Sequence, residues 1–471
     1  MKTYNKIKIT IIGAGSVSFC PSTVNDIFNS EKINSLPLEI TLMDIKKEAL
    51  DASFEFVKKL AAIKNPQAKI YATMDLEESL MGADFVVTAI EKDRYHYWSQ
   101  DFHVPRKYGF RQIYGENGGP GGMFHTLRNL EPMLEIARAM ERICPDAYLL
   151  NYTNPEAKLI EAILKLTKIK AVGLCHGEWW GVFHVAHMLG KKMEDIETQA
   201  SGLNHFACFT KIIDKKTGED LYPLLRQKER EMPKLQNWDH DALSRILLRV
   251  YGVWIYPGAN HIGEYFAWSD SFLASALMQY FYDPAEEQPW ENKDKPLEFI
   301  YQINDLFNRS WEKEMSSATG DDIFKQAFTV KEDVKVDENH IQSSEYGVPI
   351  IEAIVFNAPL HVGAVNVMND GGYVPNLPTN MVVEVPANVD GHGIHPVTTE
   401  KIPTALAAMI TTQGAISELL LEAYLEKSRN KLLQAILLDP TVSTYNNAVA
   451  LINEMFDLQK DMLPEMTWKR D

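Results

Sequence analysis

The start of the chain restricts the fold more than any other stretch. Lys6–Ile12 is a nearly unbroken β-branched run (Ile7, Ile9, Ile11, Ile12), the pattern of a strand buried on both faces. It leads directly into Gly13-Ala14-Gly15-Ser16. A glycine at 13 permits a tight turn, and one at 15 lets the backbone approach a pyrophosphate at a helix N-terminus. Ser18 stands where the full dinucleotide fingerprint has its third glycine. A second strand, Leu38–Met43, ends at Asp44, 29 positions after Gly15, where a carboxylate can accept ribose hydroxyls. Gly13, Ala14, Gly15, Ser16 and Asp44 are therefore candidates for holding a dinucleotide, against the plainer reading of a structural strand–helix turn. Ile45 and Lys46, rather than an arginine, follow Asp44, which leans to NAD over NADP.

The same alternation continues for about 175 residues. Lys46–Ile63, Leu76–Met81, Met133–Cys144 and Pro155–Leu166 have helical spacing, and Lys69–Ala72, Asp84–Ile90, Ala147–Tyr152 and Ala171–Leu174 read as strands. This predicts an α/β protein with a doubly wound, mostly parallel Rossmann-type sheet over residues 1–195. Residues 196–471 change rhythm, becoming more helical and more aromatic. Strands are expected at Phe206–Ile213, Ala364–Val367 and Met381–Val385, and helices at Thr404–Leu425, Lys431–Leu438 and Ala448–Leu458. No flexible linker separates the halves, so the second is expected as an α+β domain packed on the first. Asp283–Lys295, charged and proline-bearing, reads as an exposed loop.

Composition narrows the partners. Among 471 residues, 47 Lys and Arg face 64 Asp and Glu, a formal charge of −17 that repels nucleic acid and anionic membrane surfaces. No apolar run approaches the ~20 residues of a membrane span, and Met1–Lys8 has no secretion-signal core, so a cytoplasmic protein is expected. Four cysteines are too few for a disulfide scaffold, which leaves each as a small core residue or a working thiolate. Cys20, Cys144 and Cys208 sit among apolar or helical neighbours. Cys175, in Leu174-Cys175-His176-Gly177, sits at a strand end, where open parallel sheets meet their ligands. His205 lies 30 positions further on, in Gly202-Leu203-Asn204-His205-Phe206. One thiolate and one imidazole form an incomplete metal shell that substrate oxygens and water would finish. A core cysteine and a capping histidine explain the same residues equally simply. In Asn151-Tyr152-Thr153-Asn154-Pro155 an asparagine can bind a polar ligand or cap the next helix. The glycine-rich run Tyr114–Gly122, with Arg128 beyond it, suits a loop over a ligand. Tyr256–Trp268, polar between aromatics, suits a pocket lining or an interface.

Taken in order, Gly13-Ala14-Gly15-Ser16, Gly119-Pro120-Gly121-Gly122, Asn151-Tyr152-Thr153-Asn154-Pro155, Cys175-His176-Gly177, Gly202-Leu203-Asn204-His205 and Glu264-Tyr265 resemble glycoside hydrolase family 4. Asn376-Leu377-Pro378, Val385-Pro386 and Gly393-Ile394-His395-Pro396 extend the resemblance to essentially the whole chain. It implies a glycosidase that uses NAD and a divalent metal, typically Mn2+, instead of two carboxylates. C3 of the sugar is oxidised, the acidified C2 proton is removed, the aglycone is eliminated, water adds at C1 and the hydride returns to C3. By position, Cys175 and His205 match the metal ligands, Tyr265 the C2 base, and Gly13, Gly15 and Asp44 the NAD contacts. Asn154 would touch sugar hydroxyls, Arg128, beside the glycine run, would be a second substrate-binding residue, and His176 would join Tyr265 as a catalytic candidate. His176 occupies a place that is Asp or Asn in members acting on phosphosugars. The implied substrate is therefore a small non-phosphorylated α-galactoside or α-glucoside, with an α-glucuronidase or α-galacturonidase as the alternative. The resemblance also implies a homodimer or homotetramer. This sequence departs from the family in Glu178-Trp179-Trp180 after Cys-His-Gly, and in Asn260-His261 where some members carry an arginine near the base. The competing reading from another class is an NAD-dependent 2-hydroxy-acid dehydrogenase, which would need a His–Asp dyad with an arginine clamp and would accumulate reduced cofactor.

Overall fold

The computed structural model describes residues 2–16, 19–233, 241–272 and 345–469. Asp283–Lys295, read above as an exposed loop, lies outside them. The first half builds the expected alternation. β1 (Ile7–Ile12) is buried at every position. It is flanked by the parallel strands β2 (Leu38–Met43) and β4 (Phe85–Thr88), with β3 (Lys69–Thr73) outside β2. β5 (Tyr148–Asn151) and β6 (Lys170–Gly173) continue the sheet in parallel beyond β4. The strand order 3-2-1-4-5-6 puts a topological switch point between β1 and β4, where crevices open at the carboxyl ends of the strands.

Helices α1 (Phe19–Asn29) and α2 (Lys47–Lys64) contribute apolar residues to one large core, including Val24, Ile27, Val57 and Leu60. The opposite core is filled by α5 (Gly119–Ile143) and α6 (Glu156–Leu166), through residues such as Leu130, Met133, Ile160 and Ile163. The short helix α3 (Leu76–Leu80) forms as expected, and a helix not anticipated, α4 (Arg94–Lys107), precedes α5. Its Arg, His, Gln and Asp residues mask any apolar period.

The second half does more than pack on the sheet: it prolongs it. β10 (Leu360–Met368) joins β6 through Asn366 opposite Gly173, and β11 (Val382–Asp390) pairs with β10 antiparallel. β11 then meets β7 (Ile196–Leu203) through Glu384 opposite Gly202, followed by β8 (Phe206–Asp214) and β9 (Ile255–Tyr256). With β12 (Gly393–Pro396) beside β11, one sheet of 12 strands runs through both halves. Two strands from late in the chain thus sit between β6 and β7, a non-local insertion that local periodicity cannot announce. The helix Thr404–Glu426 has the length and composition of a membrane span. Its Leu406, Ile410, Ile416 and Leu420 lie in the protein core, which accounts for its apolar content.

Candidate active site

The site forms at the carboxyl ends of the parallel strands. After β1, Gly13 takes φ +85°, and a Cβ there would stand 2.2 Å from the Ala89 carbonyl oxygen, so only glycine fits this turn. The Gly13 and Ala14 amides both donate to the Met43 carbonyl at 3.0 Å, which fixes the turn against the end of β2. Gly15 N–H donates to Asp44 Oδ2 and Lys46 N–H to Asp44 Oδ1, each at 2.8 Å. The Ser16 hydroxyl accepts from Phe19 N–H at the start of α1. The five candidate dinucleotide residues therefore form one small cradle.

Cys175 follows β6, and its Sγ accepts from Gly177 N–H at 3.3 Å, at the first turn of α7 (Gly177–Leu189). His205 reaches it from the opposite side. β7 and β8 close through Leu203 opposite Phe206, so Asn204 and His205 form the two-residue tip of the hairpin. His205 adopts φ +63°, a left-handed conformation costly for a non-glycine residue and typical of functional sites. This brings its Nε2 to 3.8 Å from Cys175 Sγ. Nδ1 lies 2.9 Å from the Asn117 side-chain amide. The same Asn117 Nδ2 donates to Glu116 Oε2 at 3.3 Å, which clamps the ring with Nε2 turned to the sulfur side. Burial, aided by Glu384 and Glu345, pushes the Cys175 thiol well up, and burial, aided by His261, pushes His205 well down. Both groups are neutral and close together. A divalent ion would displace the thiol proton, and a thiol with an imidazole suits such an ion.

Asn117 is gripped on all sides. Its N–H donates to Glu264 Oε1 at 3.0 Å, its carbonyl accepts from Lys158 Nζ at 2.5 Å, and its side chain holds His205. Burial lowers Lys158 to about 8 despite the neighbouring Glu264. Glu116 donates its own N–H to Glu264 and pairs its carboxylate with Arg94. Burial would raise Glu116, but Arg94, with His205 and His261 beside it, pulls it down to about 2. After α8 (Tyr222–Glu231) and α9 (Ala242–Tyr251), His261 on the short helix α10 (Ala259–Ile262) sets its ring perpendicular to that of His205 with centroids 4.3 Å apart. Tyr265 is buried, stacked on Phe206, with its hydroxyl 3.5 Å from the Asn204 carbonyl. Burial, reinforced by Glu264 and Glu116, drives its pKa well up, so in the metal-free protein it is a neutral phenol.

Other expected residues divide. His176 stands half-exposed beside Cys175, its Nδ1 2.7 Å from Glu345 Oε1, and although burial opposes it, Glu345 raises its pKa. Asn154 Oδ1 accepts from Glu156 N–H at the start of α6 while its carbonyl accepts from Asn129, so it caps the helix at the cleft side. Asn151 is wholly structural, its side chain spent on Thr88 and Thr153. Arg128 does not face the cleft: it is buried against Asp101 and Gln459, and its guanidinium has no reach to a sugar. The glycine run is no free loop either. Gly118–Gly122 are buried at the root of α5, and a Cβ on Gly121 would stand 2.1 Å from the Asp101 carbonyl oxygen. These glycines serve close packing.

Sequence reasoning passed over Glu116, Asn117, Lys158, Glu345 and Glu384. The one available signal was an acidic and an amide residue embedded among glycines at 116–117. Beneath Cys175, Glu384 accepts from Asn204, Tyr256 and Asn366. Nearby Glu156 lies against Gly173, with both carboxyl oxygens buried and without a partner. Burial, then Glu384, raises Glu156 well above its ordinary 4.5. A raised folded pKa gives stability that is present below about 4.5 and lost as pH rises through the folded value. Glu156→Gln is therefore expected to stabilise the protein at pH 7 by ~1–3 kcal/mol and to do nothing at pH 4. Urea unfolding at both pH values checks this; an equal effect at the two would refute it.

The fold is that of the doubly wound enzymes, and the groups gathered at its strand ends can hold a metal beside a glycine cradle. Residues 8–191 match the model of the family 4 glycosyl hydrolases, and residues 200–442 that of the family's C-terminal domain. An alpha-galactosidase of Bacillus subtilis is 32% identical over 97% of this chain and 99% of its own length. An alpha-glucosidase of Erwinia rhapontici is 30% identical over 96% of each. A 6-phospho-alpha-glucosidase from gut microorganisms, solved in complex with NAD and Mn2+, superposes with a TM-score of 0.77 at 22% identity, covering 98% of this chain and all of the other. The chain belongs to glycosyl hydrolase family 4 and is a glycosidase. Family membership displaces the dehydrogenase reading.

Proposed function

We propose that this protein is an NAD- and Mn2+-dependent α-glycosidase acting on a neutral, non-phosphorylated glycone, an α-galactoside or α-glucoside. The observation that carries the reading is the 3.8 Å approach of Cys175 Sγ to His205 Nε2 at the strand ends. The chain's residues fit both groups. Gly13, Ala14, Gly15, Ser16 and Asp44 suit NAD, because the turn has no room for a Cβ at 13 and ends on a carboxylate. Cys175 and His205 suit the metal, because they are neutral, adjacent and of the right ligand types. When bound, the NAD takes and returns a hydride at the sugar's C3 and the metal polarises the C3 oxygen, which acidifies the C2 proton.

Tyr265 is the base in this reading. Its hydroxyl rests on the carbonyl of Asn204, the residue before His205, so a cation on His205 is close enough to offset the carboxylates that otherwise keep the phenol neutral. Asn154, at the head of α6, contacts the sugar hydroxyls. His176 and Glu345 act on specificity. Their ion pair cancels its charge beside the metal cysteine, so it offers no net cation to hold a phosphate or a C6 carboxylate there. That favours a neutral glycone, in keeping with the names of the two relatives at 30% identity or more. A reducing, cytoplasmic setting belongs to the same reading because Cys175 must stay a free thiol, and so does a homodimer or homotetramer.

The test is hydrolysis of nitrophenyl α-galactoside, α-glucoside, their 6-phosphates and the α-uronides, with NAD+, Mn2+ and reductant each withheld in turn. Turnover of a neutral α-glycoside is expected to require all three, with a primary isotope effect for deuterium at C2. Undiminished turnover without cofactor and metal would reject the mechanism. Preference for the phosphates or uronides would reject the assigned glycone.

A further inference from the structure

The side chains around His205 exceed what a two-ligand metal site uses. Glu116, His205 and His261 each offer one ligand atom to a common space, and these atoms all lie within 4.8 Å of one another. They arrive from three distant segments: Glu116 from the turn before α5, His205 from the β7–β8 hairpin tip, and His261 from α10. His261 Nε2 stands 4.0 Å from Glu116 Oε2. That is too long for a hydrogen bond. It does match two atoms bound to one ion, since bonds of about 2.0–2.2 Å place ligand atoms roughly 3–4.4 Å apart, depending on the angle between them.

The charges agree. Arg94 engages Glu116 Oε1, while Oε2 accepts from Asn117 Nδ2 at 3.3 Å on the histidine side, so Glu116 stays an anion with no cation at Oε2. Two imidazoles, one carboxylate and one thiol on a neighbouring face are a ligand set for a borderline divalent ion. His205 belongs to both groups, with its Nε2 standing 3.8 Å from Cys175 Sγ.

Resting on the metal-dependent reading above, we propose that His261 and Glu116 are further protein ligands of the divalent ion that His205 binds, so that the protein holds Mn2+ firmly before any sugar arrives. The consequence is functional. A site built from one thiol and one imidazole would depend on sugar oxygens for its metal affinity; a site with His261 and Glu116 would not.

The experiment uses the full-length protein, stripped with a chelator, kept reduced and titrated with Mn2+ without sugar. Electron spin echo modulation at the bound Mn2+ counts imidazole nitrogens in the unmodified protein, and paramagnetic resonance of free Mn2+ gives the affinity. Two coordinated imidazoles are expected in the native protein and one in His261→Ala or His261→Gln. Both variants, and Glu116→Gln, should lose at least about tenfold in Mn2+ affinity. A single imidazole in the native protein, or unchanged affinity in His261→Gln, would overturn the inference. If Cys175→Ser still weakens Mn2+ in that case, the metal-dependent reading stands without it. A native protein that takes up no Mn2+ removes both. The imidazole count needs no variant, so misfolding of a substituted protein cannot obscure the answer.

Discussion

Replacing Cys175 by serine is expected to cut Mn2+-supported turnover by about a thousandfold or more while leaving the fold intact. The sulfur's protein contacts are modest hydrogen bonds: the Gly177 amide at 3.3 Å, the Asn204 side chain and the His205 ring at 3.8 Å. Losing them leaves no large cavity and no stranded charge, because the thiol is neutral in the metal-free protein. Chain stability should therefore move by less than about 1 kcal/mol. The chemistry is different. A coordinating thiol gives up its proton, whereas a serine hydroxyl near Glu384 and Glu345 has no comparable tendency to do so. A bound metal contributes several kcal/mol of charge stabilisation, and each 1.36 kcal/mol is tenfold in rate, which sets the thousandfold expectation. Metal titrations of kcat and a thermal melt of the metal-free protein read the two halves separately. Wild-type turnover in Cys175→Ser would remove Cys175 from the metal shell, and a collapsed melt would recast it as a core residue.

Legibility in the sequence followed distance along the chain. The β1 run, the Gly13 turn and Asp44 at the end of β2 lie within some forty residues, and the pattern that places them is local. Cys175 was legible for the same reason, as a polar-flanked cysteine just past a short β6. Its partnership with His205 was not legible from spacing. It depends on the tip of the β7–β8 hairpin, two inserted strands away in the sheet, reaching the end of β6, and the residues supported it only through the family's ordered motifs. Glu116 escaped, and His261 was legible only as a departure beside the base, because their joint meaning comes from each other, 145 positions apart, and from Arg94 on a helix with no clear apolar period. The continuous sheet was hidden too. β10 and β11 enter between β6 and β7 from far along the chain, and no local pattern records which strand edge they choose.

Arg128 shows how a correct helix can carry a wrong inference about a side chain. The expectation set it beside a flexible glycine loop, free to meet a sugar. Those glycines instead let α5 approach the Asp101 backbone, which buries the helix's first turns together with Arg128. Its Nη2 donates to Asp101 Oδ2 at 2.7 Å and its Nη1 to Gln459 Oε1 at 2.9 Å, while Gln459 Nε2 donates back to Asp101 Oδ1 at 3.0 Å. The guanidinium also lies 5.2 Å from the Tyr97 ring. The triad thus ties α5 to α4 and to the end of the chain. Arg128→Met should therefore act on stability. It leaves Asp101 buried without its cation, at a cost of ~3–5 kcal/mol, a large part of a typical folding free energy of ~5–15 kcal/mol. Adding Asp101→Leu should recover most of the loss, because replacing both members of a buried pair by apolar residues is often neutral. A sugar-binding arginine would behave oppositely. KM would rise, the unfolding midpoint would hold, and the second substitution would rescue nothing. Urea unfolding of the single and double variants, with KM measured on the material that folds, separates the two.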